Sequence, residues 1–422
     1  MPSPDCVHGT RESTSSSFAI VRVAVVAVLL AAGVELVART EASAQARSPA
    51  PAFEPFALEV SAPDPDDAVT LPPTRGPRAV GTRTYHWVLD RPEELTPAPS
   101  DRREVIAQLF YPAADGQSGR PAAYVPELPL MRRGLLVHGF PPFAALSERM
   151  AAYERVLPGL RAEAKILGGS PFPVVLISPG GNMSRHWHTA LARELASHGY
   201  VVAALSHAHS GMDVFPGGGF LASHLRWHPG DDVPSVEVDE RDRELAIRLA
   251  EDVKAVVTGL AEMNGTGPLA DRLDLDRLAL IGHSRGGSTV TAACGGDSAF
   301  GACVVLDNLG AVAGFDPAVR QPRLVLRTVW PDDRVRRLGA RLAKAETDAF
   351  DVVLRGAGHH SFTDLVLVDP ERYPSEGMGA REAHRLVSGL TLAFLDRYLR
   401  GDAPAFPVAV ESLAGDVELT VH

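Results

Sequence analysis

Cysteine is nearly missing from this chain. Three occur in 422 residues: Cys6, Cys294 and Cys303. None are spaced as C-x-x-C, which removes the usual cysteine-based zinc and redox motifs. Cys294 and Cys303 are left as either a disulfide pair in an oxidising compartment or two small buried hydrophobes. A basic excess is missing too. The chain has 41 Lys and Arg against 52 Asp and Glu, a formal charge of −11. The clustered positive footprint of a nucleic-acid binder is therefore not present. Long apolar runs are also lacking. The most apolar stretch, residues 18–34, is interrupted by Arg22. Its clean part, Val23 to Val34, is about a dozen residues, short for a bilayer span. No internal repeat is visible.

What is present begins with a leader. Arg11 and Arg22 precede the clean part of the apolar run, Val23 to Val34, and Ala42-Ser-Ala44 and Ala44-Gln-Ala46 follow it. A charged start, a short apolar core and an A-x-A site describe a secretory signal peptide over residues 1–46. Glu35 and Arg39, between the apolar core and the A-x-A site, leave an uncleaved N-terminal membrane anchor as the alternative. A secreted or periplasmic location is thus expected. Residues 47–78 are rich in Pro and Ala (Ser48-Pro-Ala-Pro51, Leu71-Pro-Pro73) and read as an extended linker. Residues 79–422 are left as the folded catalytic domain. A 45% hydrophobic and 22% charged composition is enough to give it a sizeable core.

Within that domain, Thr84 to Val88 and Glu104 to Tyr111 are expected as early strands, the second with an imperfect period of two. Residues 121–170 are irregular, with one helix expected around Leu146 to Val156, and read as an insertion or cap. Strand and helix then alternate: strand Val174 to Ile177, helix Ser184 to Ser197, strand Val201 to Leu205, and a long helix Glu237 to Met263. That helix carries Leu245, Leu249, Val253, Val256, Val257 and Leu260 on one face. Strands at Ala302 to Leu306, Leu324 to Leu326 and Phe350 to Leu354 follow, then a closing helix Ala383 to Leu399 capped by Gly401. Such alternation implies a mostly parallel central sheet flanked by helices.

The chemistry centres on Leu278-Ala-Leu-Ile-Gly-His-Ser-Arg-Gly-Gly287. A short apolar strand follows the turn-like Asp274-Leu-Asp-Arg277 and leads into Gly282-His283-Ser284-Arg285-Gly286, a G-x-S-x-G nucleophile elbow. The flanking glycines are needed because a side chain at either position would meet the neighbouring backbone. A helix from Ser288 to Ala293 aims its positive end at Ser284. This is the elbow of an α/β-hydrolase fold, here with a Pro-rich N-terminal insertion or cap.

A serine needs a base, and the base needs an acid, in the chain order Ser, acid, His. The base is sought after the last strand, where Gly356-Ala-Gly-His359-His360-Ser-Phe362 lies. His359 is favoured and His360 is the competitor. Two positions compete for the acid: Asp307, ending the strand at Ala302 to Leu306, and Asp332/Asp333, after the next strand. Spacing does not separate them. The oxyanion hole takes one N–H from Arg285, which follows the nucleophile, and one from the loop Ser178-Pro-Gly-Gly-Asn182, two strand units earlier. Leu135-Leu-Val-His-Gly-Phe-Pro141 imitates such a loop, but no helix and strand follow it in register.

Several segments carry a resemblance: Gln108-Leu-Phe-Tyr-Pro112, Pro173-Val-Val-Leu-Ile-Ser178, Leu195-Ala-Ser-His-Gly-Tyr-Val-Val-Ala-Ala-Leu205, Leu275 to Ser284, Val304-Val-Leu-Asp307 and Arg355-Gly-Ala-Gly-His-His-Ser-Phe362. In order over about residues 80–400, the chain resembles the platelet-activating-factor acetylhydrolase family, in its plasma and intracellular type II form. The resemblance implies a serine esterase for short-acyl esters, including the sn-2 acetyl ester of an ether phospholipid or an oxidised phospholipid. It implies Asp307 as the acid and His359 as the base. The family carries Ser-His-Gly at the oxyanion loop where this chain has Ser178-Pro179-Gly180, so Gly181 is the implied donor. Arg285 replaces an apolar residue. A general carboxylesterase or polyester hydrolase, or a non-catalytic hydrolase-like binding protein, are the rival readings.

No cofactor is implied. The pairs His186-x-His188 and His207-x-His209 have chelating spacing, but no carboxylate is expected suitably close, so no metal site is assigned. The expected partner is a small-molecule or lipid ester, not nucleic acid. Leu128 to Leu136 and Phe140 to Phe143 read either as an interfacial lipid contact or as a packed cap, which explains the same residues.

Overall fold

The computed structural model describes residues 68–422 apart from 97, 115–117, 138–140, 216–218, 222, 224–234, 296–298, 309–319, 402–405, 408–409 and 411–416. The apolar run and the A-x-A sites lie outside the described residues. The principal strands are β1 (Val80–Pro92), β2 (Arg102–Pro112), β3 (Phe172–Ser178), β4 (Val201–His207), β5 (Leu273–His283), β6 (Phe300–Leu306), β7 (Arg323–Arg327), β8 (Ala349–Leu354) and β9 (Val417–Val421). The principal helices are α1 (Leu128–Val137), α2 (Pro141–Met150), α3 (Thr189–Ser197), α4 (Ser235–Gly265), α5 (Arg285–Ala293), α6 (Asp332–Leu342) and α7 (Ala380–Leu395). The sheet order is β9-β8-β7-β6-β5-β3-β4-β2-β1, continued by two-residue edge strands at 161–162 and 120–121. From β4 to β8 every pairing is parallel, while β1, β2 and β9 join antiparallel.

Alternate residues of the central strands feed two cores. Val175, Ile177, Val202, Ala279 and Ile281 pack with Leu191 and Leu195 of α3 and Leu386, Leu390 and Phe394 of α7. Their neighbours Val174, Leu176, Val201, Leu278 and Leu280 pack with Val253, Val256 and Leu260 of α4, Val290 of α5 and Leu338 of α6. Both faces are covered, which is why these strands read as continuous apolar runs. The same cause blurs the alternation in β2, where Val105 through Tyr111 are all buried.

Three expectations change. The turn-like Asp274-Leu-Asp-Arg277 lies inside β5, where the pairing with β3 shifts register between Asp274 and Leu278. The insertion at 121–170 holds two α-helices, α1 and α2, followed by a 3-10 turn at Ala151–Arg155, and part of it joins the sheet edge. Leu128, Met131, Leu135, Met150 and Tyr153 bury there in a separate small core shared with Leu71, Ala190, Val214 and Val368. The end of the expected linker, residues 68–78, packs on the body: Leu71 is buried and Arg75 pairs with Glu194 at 2.8 Å.

Candidate active site

The elbow is built by close backbone approach. Ser284 has φ 51° and ψ −121°, between the end of β5 and the start of α5. Positive φ in a non-glycine residue is costly and is maintained only by its surroundings. Ser284 N–H donates to Leu306 O at 2.9 Å, and Gly287 N–H donates to Ser284 O at 2.8 Å. A Cβ on Gly282 would stand 2.0 Å from Gly286 O, and one on Gly286 would stand 2.1 Å from Ser178 O. Both glycines are required for the steric reason their spacing suggested.

Asp307 follows β6 and is fully buried. Its Oδ1 accepts from Thr328 N at 2.9 Å, Thr328 Oγ1 at 2.9 Å and Trp330 Nε1 at 2.8 Å. Its Oδ2 accepts from His359 Nδ1 at 2.6 Å. Burial alone would raise the Asp307 pKa, but the His359, Thr328 and Trp330 donors outweigh it and hold it below the usual carboxylate value. The alternative acids sit elsewhere. Asp332 and Asp333 are exposed in the first turn of α6, and Asp333 pairs with Arg337 at 2.8 Å.

With Nδ1 committed to Asp307, the Nε2 of His359 is left to exchange a proton. The ring is otherwise held by His283, the residue before the serine. His283 is completely buried, which pushes its pKa well below the ordinary value. Its neutral ring places Nε2 3.1 Å from His359 O, and since a carbonyl only accepts, Nε2 carries the hydrogen. The two rings lie 4.7 Å apart. His360 turns away onto Tyr373, with ring centroids 4.5 Å apart.

The loop after β3 lies against the elbow. A Cβ on Gly180 would stand 3.3 Å from Ser284 Cβ, and one on Gly181 would stand 3.2 Å from Arg285 Nε. The Arg285 guanidinium thus lies over the loop and pairs with Asp242 of α4 at 3.4 Å. The imitation loop is otherwise placed: Leu135 to Val137 end α1, and 138–140 lie outside the described residues. The histidine pairs separate. His186 approaches Glu127 at 3.6 Å, His188 packs on His283, and His207 bonds Asp252 at 2.8 Å. Among the described residues no cluster of His, Cys, Asp and Glu has the arrangement of a metal site.

Beside Gly181 and Met183 opens a cavity of about 510 Å³. Met131, Leu135, Met150, Tyr153, Trp187 and Met212 give it an apolar wall, and His360 and Arg372 border it. Sequence reasoning missed Thr328, Trp330 and His283 as supports. Only the position of Trp330 just past a strand end hinted at its place.

A strained serine between strand and helix, on a mostly parallel sheet of this order, defines an α/β-hydrolase. More narrowly, residues 65–212 and 245–404 match the model of platelet-activating factor acetylhydrolase, isoform II, and the chain belongs to that family. It is 25% identical over 256 residues to the platelet-activating factor acetylhydrolase of Cavia porcellus, covering 55% of this chain and 58% of that protein. It is 31% identical over 264 residues to that of Canis lupus familiaris, covering 55% and 58%. The chain therefore spans less than two thirds of these relatives. Among solved structures it is similar to a ferulic acid esterase from Streptomyces cinnamoneus, with a TM-score of 0.62, 25% identity, and coverage of 83% of this chain and 99% of that one.

Proposed function

We propose that this chain is a serine esterase that cleaves short-acyl carboxylic esters through an acyl-enzyme. The observation that carries the reading is the buried Asp307 accepting through Oδ2 from His359 Nδ1 at 2.6 Å beside the elbow. In this reading His359 Nε2 takes the Ser284 proton as Oγ attacks the ester carbonyl. The N–H groups of Gly181 and Arg285 then hold the oxyanion, aided by the positive end of α5. Collapse expels the alcohol, which His359 protonates, and water activated by the same base releases the acid.

Family membership supports a short acyl group and, more finely, the sn-2 acetyl ester of platelet-activating-factor-like or oxidised phospholipids. The Met-rich cavity suits the apolar remainder of such an ester. The exposed Leu136 and Val137, beside cavity-lining Leu135, are the candidate lipid contact. Tyr153, Trp187 and Tyr373 in the same cavity favour one second reading, a general carboxylesterase for aryl-acyl esters. The protein similar in structure is named for such a substrate. The signal peptide expected over residues 1–46 and the Cys294–Cys303 disulfide support an extracytoplasmic location.

The test is a fluorophosphonate label on wild type and Ser284→Ala, then 4-nitrophenyl esters from acetyl to dodecanoyl alongside methyl ferulate. Labelling confined to wild type, with rates falling by about 100-fold beyond butyryl, is the expected result. A wild type that never labels would make the chain a binding scaffold. Ferulate turnover above acetyl would favour the aryl-acyl reading.

A further inference from the structure

A second serine–histidine–aspartate relay lies behind the first. Ser178 Oγ, at the end of β3, is 3.0 Å from His207 Nε2, at the end of β4. His207 Nδ1 donates to Asp252 Oδ2 in α4 at 2.8 Å. Ser178 and Asp252 are fully buried, and His207 is only 4% exposed. Asp252 also accepts from Arg103 Nε at 3.0 Å and from Arg91 Nη2. Arg103 in turn pairs with Glu93 at 2.8 Å and donates to Ala208 O at 2.6 Å. The guanidinium groups of β1 and β2, the carboxylate of α4 and the imidazole of β4 are thus fastened into one cluster. Its last member is a hydroxyl on β3.

The wiring copies the catalytic one, but the placement forbids nucleophilic chemistry. Ser178 sits in a regular strand, paired with Gly282, with no exposed surface to meet a substrate. Ser178 is instead the residue from which the oxyanion loop departs. Its carbonyl presses on Gly286, where a Cβ would stand 2.1 Å away. Two residues on, Gly180 lies against Ser284 Cβ. Any shift of Ser178 therefore moves the loop across the serine. A donor displaced by a fraction of an ångström from a developing oxyanion loses much of its effect, because the site is preorganised and water is excluded.

We infer that Asp252, His207 and Ser178 are positioning residues, which hold the root of the oxyanion loop against the elbow so that Gly181 N–H meets the transition state. The inference rests on the esterase reading given above. Ser178→Ala and His207→Gln are compared with wild type on 4-nitrophenyl butyrate, with a trifluoromethyl ketone as the transition-state mimic and thermal unfolding alongside. A positioning role lowers kcat about 10- to 30-fold, leaves KM within about twofold, and raises the ketone Ki by the same factor as kcat falls. Ser178→Ala removes only one hydroxyl, and His207→Gln keeps an amide toward Asp252, so each serves if the other folds poorly. Folded variants with wild-type kcat and Ki, or variants that lose only Tm, would overturn the inference. So would a rise in KM alone. Active wild type with a dead, unlabelled Ser284→Ala keeps the esterase reading intact in all of these cases, so the two failures are distinguishable.

Discussion

Two residues of the site, Ser284 and Asp307, have positive φ, 51° and 41°. Each such residue costs roughly 1–3 kcal/mol, which the fold must supply elsewhere. For Ser284 the support is the bond to Leu306 O, the residue just before Asp307. Nucleophile and acid thus restrain each other through adjacent backbone. Asp307→Asn is expected to lower kcat by about 10²–10⁴-fold with little change in KM, because the three donors on Oδ1 hold the amide oxygen there and turn its NH2 toward Nδ1, which fixes the wrong tautomer. The double variant Asp332→Asn/Asp333→Asn, on the exposed face of α6, is expected to stay within about twofold. Steady-state kinetics on one aryl ester decide between them. The elbow at Ser284 and the loop of His359 were legible because a motif of adjacent residues marks each. The supports of Asp307 were not. Thr328 and Trp330 become its donors only through the register of β6 on β7, which no local pattern encodes.

At the scale of elements, the apolar strands and the long helix α4 could be read from periodicity, within a few residues at each end. What failed was anything set by partners far along the chain, such as the edge strands, β9 and the packed stretch 68–78. The N-terminus of α3 is another such case. Both oxygens of Asp364 accept from Ala190 N at 3.1 Å, and Oδ2 also accepts from Tyr124 Oη at 3.1 Å. A carboxylate 174 residues away therefore caps this helix end. Burial outweighs these donors and pushes Asp364 up to about 7. A carboxyl with a raised folded pKa binds its proton more tightly when folded. The contribution of Asp364 to stability therefore falls as pH rises from near 4, the unfolded value, to about 7, and levels off above that. Asp364→Asn is expected to remove this slope. Buried histidines such as His283 titrate in the opposite sense over this range, so urea unfolding at pH 5 and pH 8 reads the Asp364 contribution as the difference between the wild-type and variant pH dependences, on the order of a few kcal/mol. The fixed cost of replacing the side chain cancels in the difference between the two pH values. A variant that keeps the wild-type slope would assign the pH dependence to another group.

Across the whole molecule, the sheet carries the reactive groups at the C-terminal ends of its strands, and the disulfide braces the opposite end. Cys294 follows α5, the helix that begins at the serine, and Cys303 lies within β6, the strand that ends at the acid. The bond therefore joins the far end of the helix that presents the nucleophile to the middle of the strand that presents the acid. It closes a loop with a sequence separation of 9, so its effect on the unfolded chain is that of a short loop, roughly 2–3 kcal/mol. The site does not depend on it directly, because Ser284 and Asp307 are held by the β5–β6 ladder and by Leu306 O. Cys294→Ala/Cys303→Ala is accordingly expected to lower Tm by several degrees while kcat stays within about twofold at 25 °C. A calorimetric scan and one kinetic assay check both halves. A kcat that falls together with Tm would mean that the geometry of the site is set by the tether between α5 and β6 rather than by the strand ends.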